Sequence, residues 1–198
     1  MEREVYLDRL LTKFSSSFNV YMPYQIDGIE YKAYAYFYTH QEKYVLTKSA
    51  NLWSADSYEH VLFIDAEVID EQVLERAKSV IADYFEPVLV RKGEKYPGKN
   101  HMYSYLTVVF VGNHFSDSKL ASQIKRYRFE KGYQFSIRGY STGRMIAVTM
   151  DDEKVFTNGA ARKSQKVFKA VFDEVRANKP GFLAICEKQG VTPFKQEL

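Results

Sequence analysis

Two short runs carry apolar side chains at consecutive positions: HVLFIDA, residues 60–66, and MYSYLTVVFV, residues 102–111. Successive residues of a strand point to opposite faces, so these runs are buried on both sides and belong inside a sheet. In the second run Leu106, Val108 and Phe110 fall on one face, and Val109 and Val111 on the other. Such a sheet needs helices over at least one face.

Periodicity supplies the other elements. Leu7, Leu10, Leu11, Phe14 and Phe18 recur at helical spacing, predicting an amphipathic helix over 3–18. Asp27-Gly28 between two extended runs signals a hairpin, because both turn positions must accept positive φ. In its second arm Tyr31, Ala33, Ala35 and Phe37 face one way, and the small side chains there predict a closely packed helix. HQEKYVLTKSANLW, residues 40–53, predicts a turn and a further strand. Residues 69–85 read as a helix capped by Asp70 and buried through Ile69, Val73, Ala77 and Ile81; residues 86–100 read as a long surface loop. A helix capped by Ser116 precedes strands in FEKGYQFSIRGY and GRMIAVTMDDEKVFTN, whose turn is Asp151-Asp152-Glu153-Lys154. Asn158 caps a helix buried through Val167, Phe168, Val171 and Val175.

Strands and helices do not alternate one for one, and hairpins stand at both ends. The expected fold class is α+β, with a single mixed or largely antiparallel sheet of about six to eight strands flanked by about four helices. One domain is expected over 1–178 and a C-terminal tail with a short helix over 179–198. HVLFIDAEVIDEQVLERAKSV and LTVVFVGNHFSDSKLASQIKR echo each other at an offset of 46, matching Leu74 with Leu120. Duplication and chance both produce such an echo.

The blocks NLWSADSYEHVLF, HMYSYLTVVFV, FSIRGYSTGRMIAV and VFTNGAARK, in that order, resemble an uncharacterised prokaryotic family. It is a domain of unknown function found in anaerobic bacteria and archaea, and the likeness spans roughly residues 5–170. The resemblance implies a stand-alone cytosolic domain and brings no chemistry with it.

Composition narrows the function classes. The N-terminus is charged within its first nine residues, unlike a secretory signal, and no run is long and apolar enough for a membrane span. Cys186 is alone, which excludes an intramolecular disulfide and a cysteine-based zinc site within one chain. A cytoplasmic chain without membrane contact or cofactor is expected. Charge is uneven: residues 1–90 hold 8 Lys+Arg and 15 Asp+Glu, residues 91–198 hold 20 and 10. That asymmetry fits an anionic partner for the basic half, and equally two halves whose charges interleave on one surface.

Residues 119–144 join Lys119, Lys125, Arg126, Arg128, Lys131, Arg138 and Arg144 with interleaved aromatics, against Glu130 alone. Cations that hold phosphates beside rings that stack on bases are how single-stranded nucleic acid is gripped. Aromatics alternating into a core under solvated cations give the same string. Asp65 and Glu67 project from one face of a strand and, with His60 or His101, are the candidate ligands of a metal-dependent, nuclease-like site. Solvated strand ends explain them as well. No phosphate loop, G-x-G-x-x-G or G-x-S-x-G motif occurs. His101 stands where loop becomes sheet, and the expectation is a partly buried, hydrogen-bonded imidazole lining a shallow pocket with Trp53 and Asn158, binding no metal. The reading is a non-catalytic binding module for an anionic ligand or single-stranded nucleic acid. The alternatives are a metal-dependent hydrolase and a structural module that forms homo-oligomers.

Overall fold

The computed structural model describes residues 1–43 and 53–196. The chain opens with α1 (Arg3–Ser15), which buries Tyr6, Leu7, Leu10 and Leu11 on the face their spacing defines. β1 (Asn19–Tyr21) follows, then the hairpin of β2 (Tyr24–Ile26) and β3 (Ile29–Tyr31). Its turn residues Asp27 and Gly28 have φ of 50° and 77°, the left-handed pair a two-residue hairpin requires. β4 (Ala33–Lys43) and β5 (Trp53–Asp65) pair antiparallel, from Ala33 opposite Phe63 to Lys43 opposite Trp53. Of the turn and strand expected in residues 40–53, residues 40–43 extend β4, Trp53 opens β5, and 44–52 lie outside the described residues.

β6 (Val68–Ile69) leads to α2 (Glu71–Ser79), where the Asp70 carboxylate accepts from the Val73 N–H at 2.8 Å. The helix does not stop at residue 85. It continues as a π-helix over Val80–Val90, with Pro87 inside it, so the expected loop begins only at Arg91. Its buried residues Val80, Ile81, Phe85, Glu86 and Val90 repeat every five positions, the spacing that winding with i→i+5 hydrogen bonds lays on one face.

β7 (His101–Gly112) and β8 (His114–Phe115) come next, then α3 (Ser118–Arg126). The cap of α3 is Asp117, whose side chain accepts from the Lys119 N–H, and not Ser116 as the sequence predicts. β9 (Glu130–Gly132) is shorter than the expected strand, because Gln134, Phe135 and Ser136 all turn to positive φ and end it. β10 (Tyr140–Thr149) and β11 (Lys154–Thr157) form the last hairpin. Asn158 caps a 3₁₀ turn (Gly159–Ser164) that runs into α4 (Gln165–Arg176), and α5 (Phe182–Gln189) follows. α4 buries Phe168, Val171 and Phe172, while Val167 of the expected stripe faces solvent.

The main sheet has the order β1-β4-β5-β7-β10-β11, with β9 on the first residues of β10. β5, β7 and β10 are mutually parallel and the outer pairings antiparallel, a mixed sheet in an α+β fold. Helices cover both faces. α1, α4 and α5 pack on Ala33, Ala35, Val61, Phe63, Val109 and Val111. α2, its π extension, α3 and the small hairpin pack on Leu62, Leu106, Val108 and Phe110. The alanines of β4 admit α1 as expected, but Tyr31 lies in the opposite core, because the chain turns between β3 and β4. The echo at offset 46 is the register of the central parallel pair, from Ser57 opposite Tyr103 to Asp65 opposite Val111, and it continues through Val68 opposite His114.

Phe110 is fully buried at the centre of this sheet. Phe110→Ala is expected to lower the urea unfolding free energy by about 3–5 kcal/mol, the usual loss on truncating a core phenylalanine. Val167→Ala, on the solvent side of α4, should change it by less than about 0.5 kcal/mol in the same measurement.

Candidate functional site

The register of β5 with β7 slips at one point. Ser57 stands opposite Tyr103 but Asp56 opposite His101, so β7 holds one extra residue at Met102. A bulge of this kind re-aims a side chain. Strict alternation would send Met102 inward with Ser104 and Leu106; instead Met102 is exposed and His101 is turned in, 6% accessible. Gly139 makes room for the bulge. Its φ is +73°, and a Cβ built there would lie 2.1 Å from the Met102 carbonyl oxygen.

His101 is fixed on all sides. Its Nδ1–H donates to the Arg138 carbonyl at 2.8 Å, so in the neutral ring Nε2 accepts from the Ser104 hydroxyl, also at 2.8 Å. Tyr58 stacks on the imidazole at 6.0 Å and 12°, and Tyr133 meets it edge-on. A hydroxyl, an imidazole and a carbonyl in a row resemble an activated nucleophile, but Ser104 is fully buried. The row sets the tautomer of His101.

Around this residue a cleft of about 1110 Å³ opens at the N-terminal ends of β5 and β7, just above the usual range for ligand pockets. Its lining holds six tyrosines, both His60 and His101, six Lys or Arg side chains and two carboxylates. The floor is aromatic and carries no formal charge. Tyr24 stacks on Tyr34 at 4.3 Å, and the Tyr34 hydroxyl lies 2.7 Å from His60 Nδ1. Burial, with His101 nearby, pushes His60 down to about 3. Burial also lowers His101, against the opposing pull of the Arg138 carbonyl and Asp56. Tyr24 and Tyr34 are raised by burial, and Tyr58 is pushed up to about 12. Positive charge enters at the rim, through Arg91, Lys92, Lys95, Lys99, Arg138 and Lys195, all from the basic half of the chain. The two carboxylates are Asp56, bonded to the Tyr38 hydroxyl and His40, and Glu94.

One wall is held by a carboxylate that sequence reading assigns to a loop. Glu86, 2% exposed in the π-helix, accepts from Arg91 Nε at 2.7 Å and the Tyr133 hydroxyl at 3.0 Å, and meets Lys131 Nζ at 3.0 Å. Burial alone would raise its pKa; the donors from Arg91, Lys131 and Tyr133 outweigh it and hold Glu86 below its ordinary value. Ser141 then donates to the Tyr133 oxygen at 2.7 Å. The repeat of Val80, Phe85 and Val90 was the sequence signal for this helix.

Of the residues singled out from sequence, the structure brings His101, His60 and Arg138 to the cleft. The backbone of Trp53 opens β5, and its side chain lies outside the described residues. Asn158 is buried elsewhere, accepting from Met145 and Ala161 N–H and donating to Tyr127 and Gly143 carbonyls. Arg126 and Arg128 are exposed beyond the cleft. Arg144 lies on the other face of the sheet, its Nη1 donating to Glu59 at 3.0 Å and its guanidinium 3.3 Å from the Tyr105 ring centre. The basic stretch is therefore not one patch. Asp65 pairs with Arg3 on the α1 face, away from His60, and Glu67 is exposed at the far end of β5. Among the described residues no three His, Cys, Asp or Glu side chains gather as metal ligands, and no helix is long and apolar enough to cross a membrane.

The profile of a domain of unknown function, DUF8052, matches residues 2–170. The chain belongs to that family. No curated protein and no solved structure matches it. The matched residues include the bulge, the π-helix and the cleft floor; α5 and the segment after it lie beyond the match.

His60 gives this floor a pH signature. Unfolded, it takes up a proton near 6.5; folded, only near 3. Its contribution is complete above pH 6.5 and shrinks as pH falls, by about 2 kcal/mol at pH 5 at roughly 1.4 kcal/mol per unit. Urea unfolding at pH 7 and pH 5 should show that loss, with His101 adding to it, and His60→Gln should reduce the difference.

Proposed function

We propose that this protein is a non-catalytic binding module whose cleft takes a small ligand joining a planar, uncharged ring to an anionic group such as a phosphate or carboxylate. The observation that carries the reading is the division of the cleft into a neutral aromatic floor and a cationic rim. A ring suits the floor, where Tyr24, Tyr34, Tyr36 and Tyr58 offer π faces and hydroxyls. An isolated anion does not suit it, because no cation is there to offset desolvation. At the rim Lys92, Lys95 and Lys99 make no ion pair among the described residues. Arg91 and Lys92 follow the C-terminus of the π-helix, whose dipole favours cations there, and Arg138 Nη1 donates to the Pro97 carbonyl at 3.1 Å; Lys95, Lys99 and Lys195 have no such explanation.

The reading stays non-catalytic because both imidazoles already have partners, and Tyr24, Tyr34 and Tyr58 are held protonated by burial. A general acid or base needs a group poised near the working pH.

Isothermal titration with AMP, FMN and 4-hydroxybenzoate, beside adenosine and inorganic phosphate, tests the proposal. At least one ring-bearing anion should bind more tightly than adenosine or phosphate, with affinity falling as salt rises. Lys92→Gln with Lys99→Gln should weaken it by about tenfold or more, the scale of lost charge-assisted contacts. Silence from all three ring-bearing anions at millimolar concentration and low salt overturns the reading. So does a single-stranded oligonucleotide whose binding is lost in Arg126→Gln with Arg128→Gln but kept in the lysine variants, which moves the site to the outer basic surface.

A further inference from the structure

Residues 191–196 leave α5 through Gly190, which ends the helix at a φ of 65°, and return to the sheet. There the segment lies parallel to β1, with Phe194 opposite Tyr21. Phe194 N–H donates to the Val20 carbonyl and its carbonyl accepts from the Met22 N–H, each at 3.0 Å. The Gln196 side-chain amide adds a reciprocal pair with the Gln25 backbone, at 2.7 and 3.1 Å. The backbone of the segment is thus tied down, but its ring is not: Phe194 remains 54% exposed and belongs to neither core.

That ring is one wall of the cleft, and Lys195 beside it completes the cationic rim. Phe194 contacts Tyr21 at 5.5 Å, Tyr21 contacts Tyr34 at 5.7 Å, and Tyr34 reaches His60 on the floor. An unbroken aromatic series therefore runs from the C-terminal segment to the deepest part of the site. A half-exposed phenylalanine held by backbone hydrogen bonds contributes little to folding. Its geometry suits a surface that is covered when something fills the cleft.

We infer that residues 191–196 are a ligand-binding strap, in which Phe194 closes over the ring of the bound molecule and Lys195 meets its anionic group. This rests on the cleft reading above and deepens it. The strap lies outside residues 2–170, so the matched domain alone lacks this wall, and selectivity at the site is set by a segment that the domain does not contain. Ligand contact and strap docking reinforce each other by the same factor, because coupling between two binding events is reciprocal.

The full chain is titrated with AMP, FMN and 4-hydroxybenzoate, unaltered and as Phe194→Ala, Phe194→Tyr and Lys195→Gln. Both altered side chains are exposed, so the thermal midpoints should stay together. Phe194→Ala is expected to weaken binding about tenfold, the worth of one stacked ring, and Phe194→Tyr to restore it. Lys195→Gln should lower the salt dependence of binding. Saturating nucleotide should also slow hydrogen exchange at the Met22 and Phe194 amides. Equal affinity in all four chains, with unchanged exchange at those amides, overturns the strap and leaves the cleft reading standing. No binding by the unaltered chain removes the cleft reading, and the strap with it.

Discussion

The parallel pairing of β5 with β7, buried on both faces and offset by 46 residues, is the constraint from which the rest of the molecule follows. A parallel neighbour cannot be reached by a turn; the chain must travel back along the sheet before starting again. α2 and its π-helical continuation make that journey, and they deliver residues 91–100 to the end of the sheet where β5 and β7 begin. Ligands in open α/β sheets usually sit beyond the C-terminal strand ends. Here those ends are sealed by the β6–β8 pair, so tightly that a Cβ on Gly112 would lie 2.6 Å from Ile69. The open end is the opposite one, and the cleft is there.

At that end the structure divides polar labour between layers. Glu86 gathers Arg91, Lys131 and Tyr133 inside the wall, where a lone carboxylate would be costly and a satisfied one fixes positions. His101 and His60 stay neutral because burial outweighs the charges near them. The remaining lysines, Lys92, Lys95, Lys99 and Lys195, stand where water reaches them, which keeps their own desolvation small.

The central strands were legible because burial on both faces leaves an uninterrupted apolar run. The small hairpin was legible because Asp27-Gly28 admits few other conformations. His101 could be placed at the border of loop and sheet, but its inward aim depends on an extra residue in β7 and on the missing side chain of Gly139, which no local periodicity records. Glu86 was hidden by the assumption of α-helical winding; five-residue spacing around Pro87 reads as a broken helix until the π turn is recognised. The charge imbalance between the halves was visible, while its gathering at one rim depends on the fold bringing distant segments, such as those of Lys99 and Lys195, to the same cleft. Arg138 and Arg144 are near neighbours in sequence and end on opposite faces of the sheet, so a count of cations could not tell them apart.

β1 is the outermost strand on its side of the sheet, and it pairs with β4 over only three residues. An edge strand exposes backbone donors and acceptors that any other extended chain can use, and proteins guard such edges against self-association. The same hydrogen bonds that hold Phe194 against Val20 and Met22 occupy that edge. One short stretch of backbone therefore both places Phe194 and guards the sheet: whatever lifts residues 191–196 also uncovers an unpaired strand edge.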